Sequence, residues 1–244
     1  GKPKEIQMPK TAMYASAVRT AAFFNLSDGD SALLCLPIRY IAGKMMLVRA
    51  LVLGLHLDII PPKTKLPIEK DYTFAALIPL QANASFDVLG RFKTVLIGGA
   101  PITTDLRKRI SKKYKHCIET YGMTETLTHV ATRIVSDAVI PFRAMPGIGI
   151  STDENDCLVL EVPYVPLSPI VTQDVVRREG DDTFSLLGRR DWVINSGGMK
   201  IFPEALEEVL TPFIKFPFFF TALPDANLGE KLVLLVEAPA TEKT

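Results

Sequence analysis

Residues 31–36 form an unbroken apolar run, Ser-Ala-Leu-Leu-Cys-Leu, stopped by Pro37. A short continuous run of this kind suits a strand buried on both faces, and such a strand needs helices above and below it. The flanks supply them. Residues 11–24 place apolar and small side chains at helical spacing before the turn-rich stretch 25–30, and residues 44–54 read as a second helix behind a loop at 38–43. A strand-like segment at 55–60 follows, closed by Pro61-Pro62. The alternation returns at 93–97 (strand), 98–101 (turn), 104–114 (helix capped by Thr103 or Thr104) and 116–119 (short strand). This order predicts an α/β sheet.

From Pro141 the texture changes to Pro- and Gly-rich pieces with short alternating runs at 157–162 and 183–187, which predicts an antiparallel, β-barrel-like part. A second, small α+β domain is expected to begin near Asp191, with Pro203 in the first turn of an acidic helix and a β-rich run at 232–237. The expected division is therefore 1–190 and 191–244.

Composition removes several classes of function. Lys and Arg number 28 against 27 Asp and Glu, so the net charge of +1 supplies no basic field for nucleic acid. With 48% hydrophobic and 23% charged residues the chain is a folding one. The most apolar stretch, 45–60, carries Arg49, His56 and Asp58 and makes a poor bilayer span, and the basic start lacks a secretory apolar core. A cytoplasmic protein without a membrane partner is expected. Cys35, Cys117 and Cys157 are odd in number and scattered, which suits reduced, buried thiols.

Three loops at strand ends are candidates for chemistry, since ligands of open α/β sheets bind there. Gly98-Gly99-Ala100-Pro101 would let a ligand approach the backbone, and a plain tight turn explains the glycine pair equally well. Tyr121-Gly122-Met123-Thr124-Glu125-Thr126 combines a flat aromatic face, two hydroxyls for phosphate and a hard oxygen ligand for Mg²⁺, while Thr124 or Thr126 would also serve as a helix cap. Gln173-Asp174 with the stretch Gly188 to Gly198 offers a carboxylate for ribose hydroxyls and Arg189 as a donor, a pair that is also an ordinary surface ion pair.

In their order, GKPK, PIRYIAG, GGAP, YGMTET, QD, GRRD and SGGMKIFPEALEE resemble the motifs of the adenylate-forming superfamily, which includes acyl-CoA synthetases, adenylation domains and luciferases. Within it the chain is most similar to the o-succinylbenzoate–CoA ligases of menaquinone biosynthesis, through the Ser196-Gly197-Gly198 turn and Arg49 placed six residues beyond Gly43. The resemblance implies activation of a small carboxylic acid by ATP and Mg²⁺ to an acyl-adenylate, followed by transfer to coenzyme A. It implies catalytic roles for Lys4, Thr124 and Glu125, with Glu125 holding the metal. Gly98, Gly99, Ala100, Tyr121 and Gly122 would surround adenine, Thr124 would hold phosphate, and Asp174 with Arg189 would clasp ribose. Gly197 and Gly198 would border the pantetheine channel, and Asp191 would be the hinge.

For the acid, the resemblance points to Tyr40, Gly43 and Arg49 among residues 39–49, with Arg49 meeting the carboxylate that does not react. A helix arginine packing its stem on the core is the ordinary alternative. By the same likeness, the chain starts inside the phosphate loop and stops before the family's late lysine, and no residue is nominated for that lysine; a fragment with poor turnover is expected. Other acids, and a nucleotide-binding module without catalysis, are the competing readings. A homodimer is compatible with the sequence, which specifies no interface.

Overall fold

A computed structural model describes residues 5–237. The first half runs α1 (Lys10–Phe24), β1 (Ser31–Leu34), α2 (Ile41–Leu53), β2 (His56–Ile59), β3 (Tyr72–Leu77), α3 (Pro79–Ala84), β4 (Phe92–Ile97), α4 (Thr104–Lys113) and β5 (Cys117–Gly122). It continues through β6 (His129–Ile134), β7 (Phe142–Ala144), β8 (Gly149–Thr152), β9 (Cys157–Glu161), β10 (Ile170–Arg178) and β11 (Thr183–Arg189). These eleven strands make one sheet in the order β2-β1-β3-β4-β5-β6-β7-β11-β10-β9-β8. Pairing is parallel from β2 to β5 and antiparallel from β6 onward, so β5 and β6 form the seam between two kinds of sheet. The antiparallel part expected from residue 141 onward is present as a continuation of this sheet and already begins with β6.

Strand alternation explains the helices on both sides. Leu33, Ala75, Leu77, Val95 and Ile97 point to one face and pack with Leu106 and Ile110 of α4. Ala32, Leu34, Phe74 and Leu96 point to the other and pack with Met46 and Ala50 of α2. Each such large apolar side chain contributes about 1.5–3 kcal/mol on burial. In the antiparallel half Val130, Leu158, Leu160 and Phe184 pack with Ala12 of α1 and Met45 of α2. All three cysteines are free and buried. No helix of the described residues is long and apolar enough to cross a membrane.

Local sequence sets the element ends. Gly54 caps α2 at φ 71°, a left-handed conformation that costs a glycine nothing. Thr103, one of the two expected caps, accepts the Leu106 amide at the start of α4. β5 extends to Gly122 instead of ending at Glu119, because β6 pairs with it as far as His129 opposite Gly122. Tyr121 and Gly122 are therefore strand residues, and the turn that follows is a single 3₁₀ turn over Thr124–Thr126.

The last elements are β12 (Ile194–Ser196), β13 (Met199–Ile201), α5 (Pro203–Leu210), β14 (Phe218–Asp225) and β15 (Gly229–Val236). Their strands form a second sheet, β13-β12-β15-β14, with α5 packed on β14. Gly197 and Gly198, at φ 59° and 81°, are the two central residues of the β12–β13 hairpin, whose tight turn requires positive φ at both.

Candidate functional site

The carboxyl ends of the parallel strands enclose a cavity of about 160 Å³. Leu36 after β1, Leu77 at the end of β3 with Ile78 after it, Gly98 and Gly99 after β4, and Thr120 and Gly122 at the end of β5 contribute to its wall. Helix α2 closes another side with Ile41, Met45 and Arg49, residues four apart and hence on one helix face. Leu127, Thr128 and His129, at the start of β6, complete the enclosure. Gly98 is needed where it is, because a Cβ there would stand 2.4 Å from Thr120 Oγ1.

Arg49 is the polar centre of this apolar space. It is 3% exposed and has no carboxylate partner among the described residues. Its Nε donates to Thr20 Oγ1 at 3.4 Å, Nη1 faces the Met46 sulfur at 3.6 Å, and Nη2 donates to the Thr128 hydroxyl. A guanidinium carries five N–H donors, so these partners leave some uncommitted. Burial pushes its pKa down to about 10, which leaves it cationic at neutral pH. A buried cation without a counter-charge is costly, and an anion entering the cavity would relieve the cost. Sequence reasoning had no signal for its neighbour His129, which is buried with Nδ1 3.0 Å from Thr128 Oγ1 and Nε2 unpartnered.

Of the other candidates for the acid among residues 39–49, Ile41 and Ala42 line the cavity, whereas Tyr40 and Gly43 do not. Tyr40 precedes α2, is exposed, and lies under the Arg39 guanidinium at 4.8 Å. Gly43 is buried against backbone, with a built Cβ 2.4 Å from the Pro37 carbonyl oxygen; it allows α2 to sit on the loop after β1 and does not border the cavity. Met45, which sequence reasoning did not name, lines the cavity beside Ile41.

At the seam, Tyr121 Oη donates to Asp174 Oδ2, and Asp174 Oδ1 lies 3.5 Å from Arg189 Nη1. Arg189 in turn reaches Asp191 Oδ2 at 3.2 Å. Strand register explains the middle contact, since Asp174 of β10 stands opposite Arg189 of β11. Tyr121 packs edge-on against Phe184 at 5.4 Å, and burial followed by the Asp174 carboxylate raises its hydroxyl pKa. Thus Tyr121, Asp174, Arg189 and Asp191, far apart in sequence, form one connected chain.

Thr126, the alternative cap residue, is the structural hydroxyl of the 3₁₀ turn: buried, it accepts the Met123 amide and donates to backbone carbonyls. Thr124 is exposed and Glu125 half-buried, and neither side chain has a hydrogen-bond or ion-pair partner among the described residues. A hydroxyl and a carboxylate without protein partners are the kinds of group that meet phosphate oxygens and Mg²⁺, a metal commonly held by one or two carboxylates plus phosphate oxygens rather than by a cage of protein ligands. Ala100 is exposed beyond Gly99, outside the wall, and Gly197 and Gly198 sit at their hairpin tip, where a Cβ on Gly198 would meet nothing within 4 Å. Lys4 lies outside the described residues.

A family model described as AMP-binding enzyme matches residues 1–169. The 2-succinylbenzoate–CoA ligase of Salmonella typhimurium is 27% identical over 260 residues, covering 97% of this chain and 56% of that protein. Its counterpart in Bacillus cytotoxicus is 26% identical and covers 86% of this chain and 52% of its own length. The chain thus spans about half the length of these relatives. Among solved structures, an acyl-CoA synthetase (AMP-forming)/AMP-acid ligase II-like protein from Dyadobacter fermentans is 35% identical with a TM-score of 0.71, over 99% of this chain and 73% of that one. The o-succinylbenzoate–CoA synthetase of Bacillus subtilis in complex with the acyl-adenylate OSB-AMP shares the fold, with a TM-score of 0.82 at 18% identity over 99% of this chain and 58% of that one.

Proposed function

The chain belongs to the AMP-binding enzyme family, and from that premise we propose that the protein carrying it is an AMP-forming acid–CoA ligase acting on o-succinylbenzoate in menaquinone biosynthesis. A carboxylate oxygen of the acid attacks the α-phosphorus of ATP and pyrophosphate leaves. The sulfur of coenzyme A then attacks the acyl carbon, AMP leaves, and a thioester remains.

The observation that carries the substrate class is Arg49: a cation, nearly fully buried and without an acid partner among the described residues, in the wall of an otherwise apolar cavity. A pocket for a fatty acid gains nothing from it and bears the cost of its desolvation. An aromatic diacid matches both features. The cavity, about 160 Å³, is close to the roughly 150 Å³ that takes up one benzene ring in an engineered protein core. The second carboxylate would pair with the guanidinium.

In this reading Gly98, Gly99 and Tyr121 hold the adenine, with Ala100 and Gly122 beside it, and Asp174 with Arg189 takes the ribose hydroxyls. Thr124 donates to phosphate oxygens, and Glu125 holds Mg²⁺, which when bound offsets phosphate charge. Lys4 faces the leaving phosphates. Residues 1–190 belong to the large domain and 191–244 to a small mobile one, with Asp191 as the hinge and Gly197 and Gly198 beside the path of the pantetheine arm. The protein works in the cytoplasm on small molecules.

The test is mass spectrometry of the full-length protein with Mg-ATP and o-succinylbenzoate, with and without coenzyme A. Acyl-adenylate in its absence and thioester in its presence are expected. Pyrophosphate release with another acid alone would keep the chemistry and discard the substrate; nucleotide binding without pyrophosphate release would leave a non-catalytic module.

A further inference from the structure

Hydrogen bonding at the cavity wall bears on the tautomer of His129. Arg49 Nη2 can only donate, so the Thr128 oxygen accepts from it. The Thr128 hydrogen is then free to point at His129 Nδ1, 3.0 Å away, which makes Nδ1 the acceptor of the pair. With the Thr128 hydrogen placed there, the proton of a neutral imidazole sits on Nε2. Burial, and then the Arg49 charge, keeps this ring neutral. His129 is 7% exposed, its ring meets Phe24 edge-on at 5.5 Å, and Nε2 has no hydrogen-bond partner among the described residues. A buried N–H without an acceptor costs free energy that a ligand oxygen can recover. The same ring belongs to the wall of the cavity that Arg49 lines.

We propose that His129 is a specificity-determining residue: its Nε2–H donates to one oxygen of the non-reacting carboxylate of the acid, while Arg49 holds the other. The proposal rests on the ligase reading for the identity of the acid. Thr128 lies between the two donors, accepting from Arg49 and, in this arrangement, donating to His129 Nδ1. A substrate lacking that carboxylate leaves both unpaired.

Calorimetric titration of the full-length protein separates this from the activity. Two probes are used: o-succinylbenzoate and 4-oxo-4-phenylbutanoate, which lacks the ring carboxylate. Hydrogen bonds to charged groups are the stronger class, so His129→Phe is expected to weaken the diacid roughly 10- to 100-fold and the monoacid less than about twofold. His129→Gln, which restores an N–H donor, is expected to recover part of the loss. Circular dichroism and thermal melting of both variants check the fold. Diacid affinity unchanged in His129→Phe, an equal loss for both acids, or no diacid binding by the wild type would overturn the proposal. Two-bond ¹⁵N–¹H correlation spectra of the wild type give an independent reading, with Nε2 protonated as expected and a proton on Nδ1 as the contrary result. Diacid binding that depends on His129 without pyrophosphate release would sink the ligase reading alone, and pyrophosphate release with His129→Phe indistinguishable from wild type would sink this one alone.

Discussion

His129 also makes stability depend on pH. Its folded pKa lies well below 6.5, first through burial and then through Arg49. Below about pH 6.5 the unfolded chain binds a proton that the folded chain refuses, so stability falls as pH falls, by up to about 1.4 kcal/mol per unit. Urea unfolding between pH 7.5 and 5 is expected to show a steeper loss in wild type than in His129→Phe; equal slopes would refute the assignment. Glycines separate in a similar way. Gly43→Ala would drive a Cβ to 2.4 Å from the backbone oxygen of Pro37, an overpacking worth about 1–3 kcal/mol, whereas Gly198→Ala meets open space and bears only the strain of φ 81°, about 1 kcal/mol. Thermal melting should rank them in that order. Arg49 and Ile41 were legible through the resemblance, and a step of four back along the helix from Arg49 would have added Met45. His129 was not legible, because a single histidine on a short strand has meaning only when α2 is packed beside it.

Among elements, α4, β5 and β6 are joined through one carboxylate. Glu119 of β5 accepts from Arg107 of α4 at 2.7 Å and from Arg133 of β6 at 2.7 and 2.9 Å, almost wholly out of water. Removing its charge leaves two arginines uncompensated, so Glu119→Gln is expected to cost about 3–5 kcal/mol in chemical denaturation. A loss below about 1 kcal/mol, the range of exposed pairs, would show that water reaches the cluster. The elements readable from sequence were those with sharp punctuation: α2 closed by Gly54, α4 opened by Thr103, and β1, which ends at Leu34 shortly before Pro37. β3 escaped notice although it is central to the sheet, since the apolar run of Tyr72–Leu77 continues through Ile78 into α3 with little to mark its end before Pro79. The length of β5 was hidden for another reason: β6 decides where it ends.

At the scale of the molecule, the proposed division at Asp191 has its own test. Proline fixes φ near −65°, so Asp191→Pro in the full-length protein should retain adenylate formation and slow thioester formation, read as separate half-reactions by mass spectrometry. Equal loss of both steps would argue against a hinge there. Sequence order revealed the α/β class and the change of texture near residue 141, yet not that both parts share one sheet, because strand pairing across β5 and β6 leaves no local mark. The hydroxyl contact from Arg49 to Thr128 bridges 79 positions of the chain. Closing so long a loop carries an entropy cost that only the surrounding native contacts can offset. The cavity therefore depends on the assembly of both halves of the sheet, and its capacity for ligand reports on that assembly: a substitution that loosens the seam from afar can empty the pocket without touching a single residue of its wall.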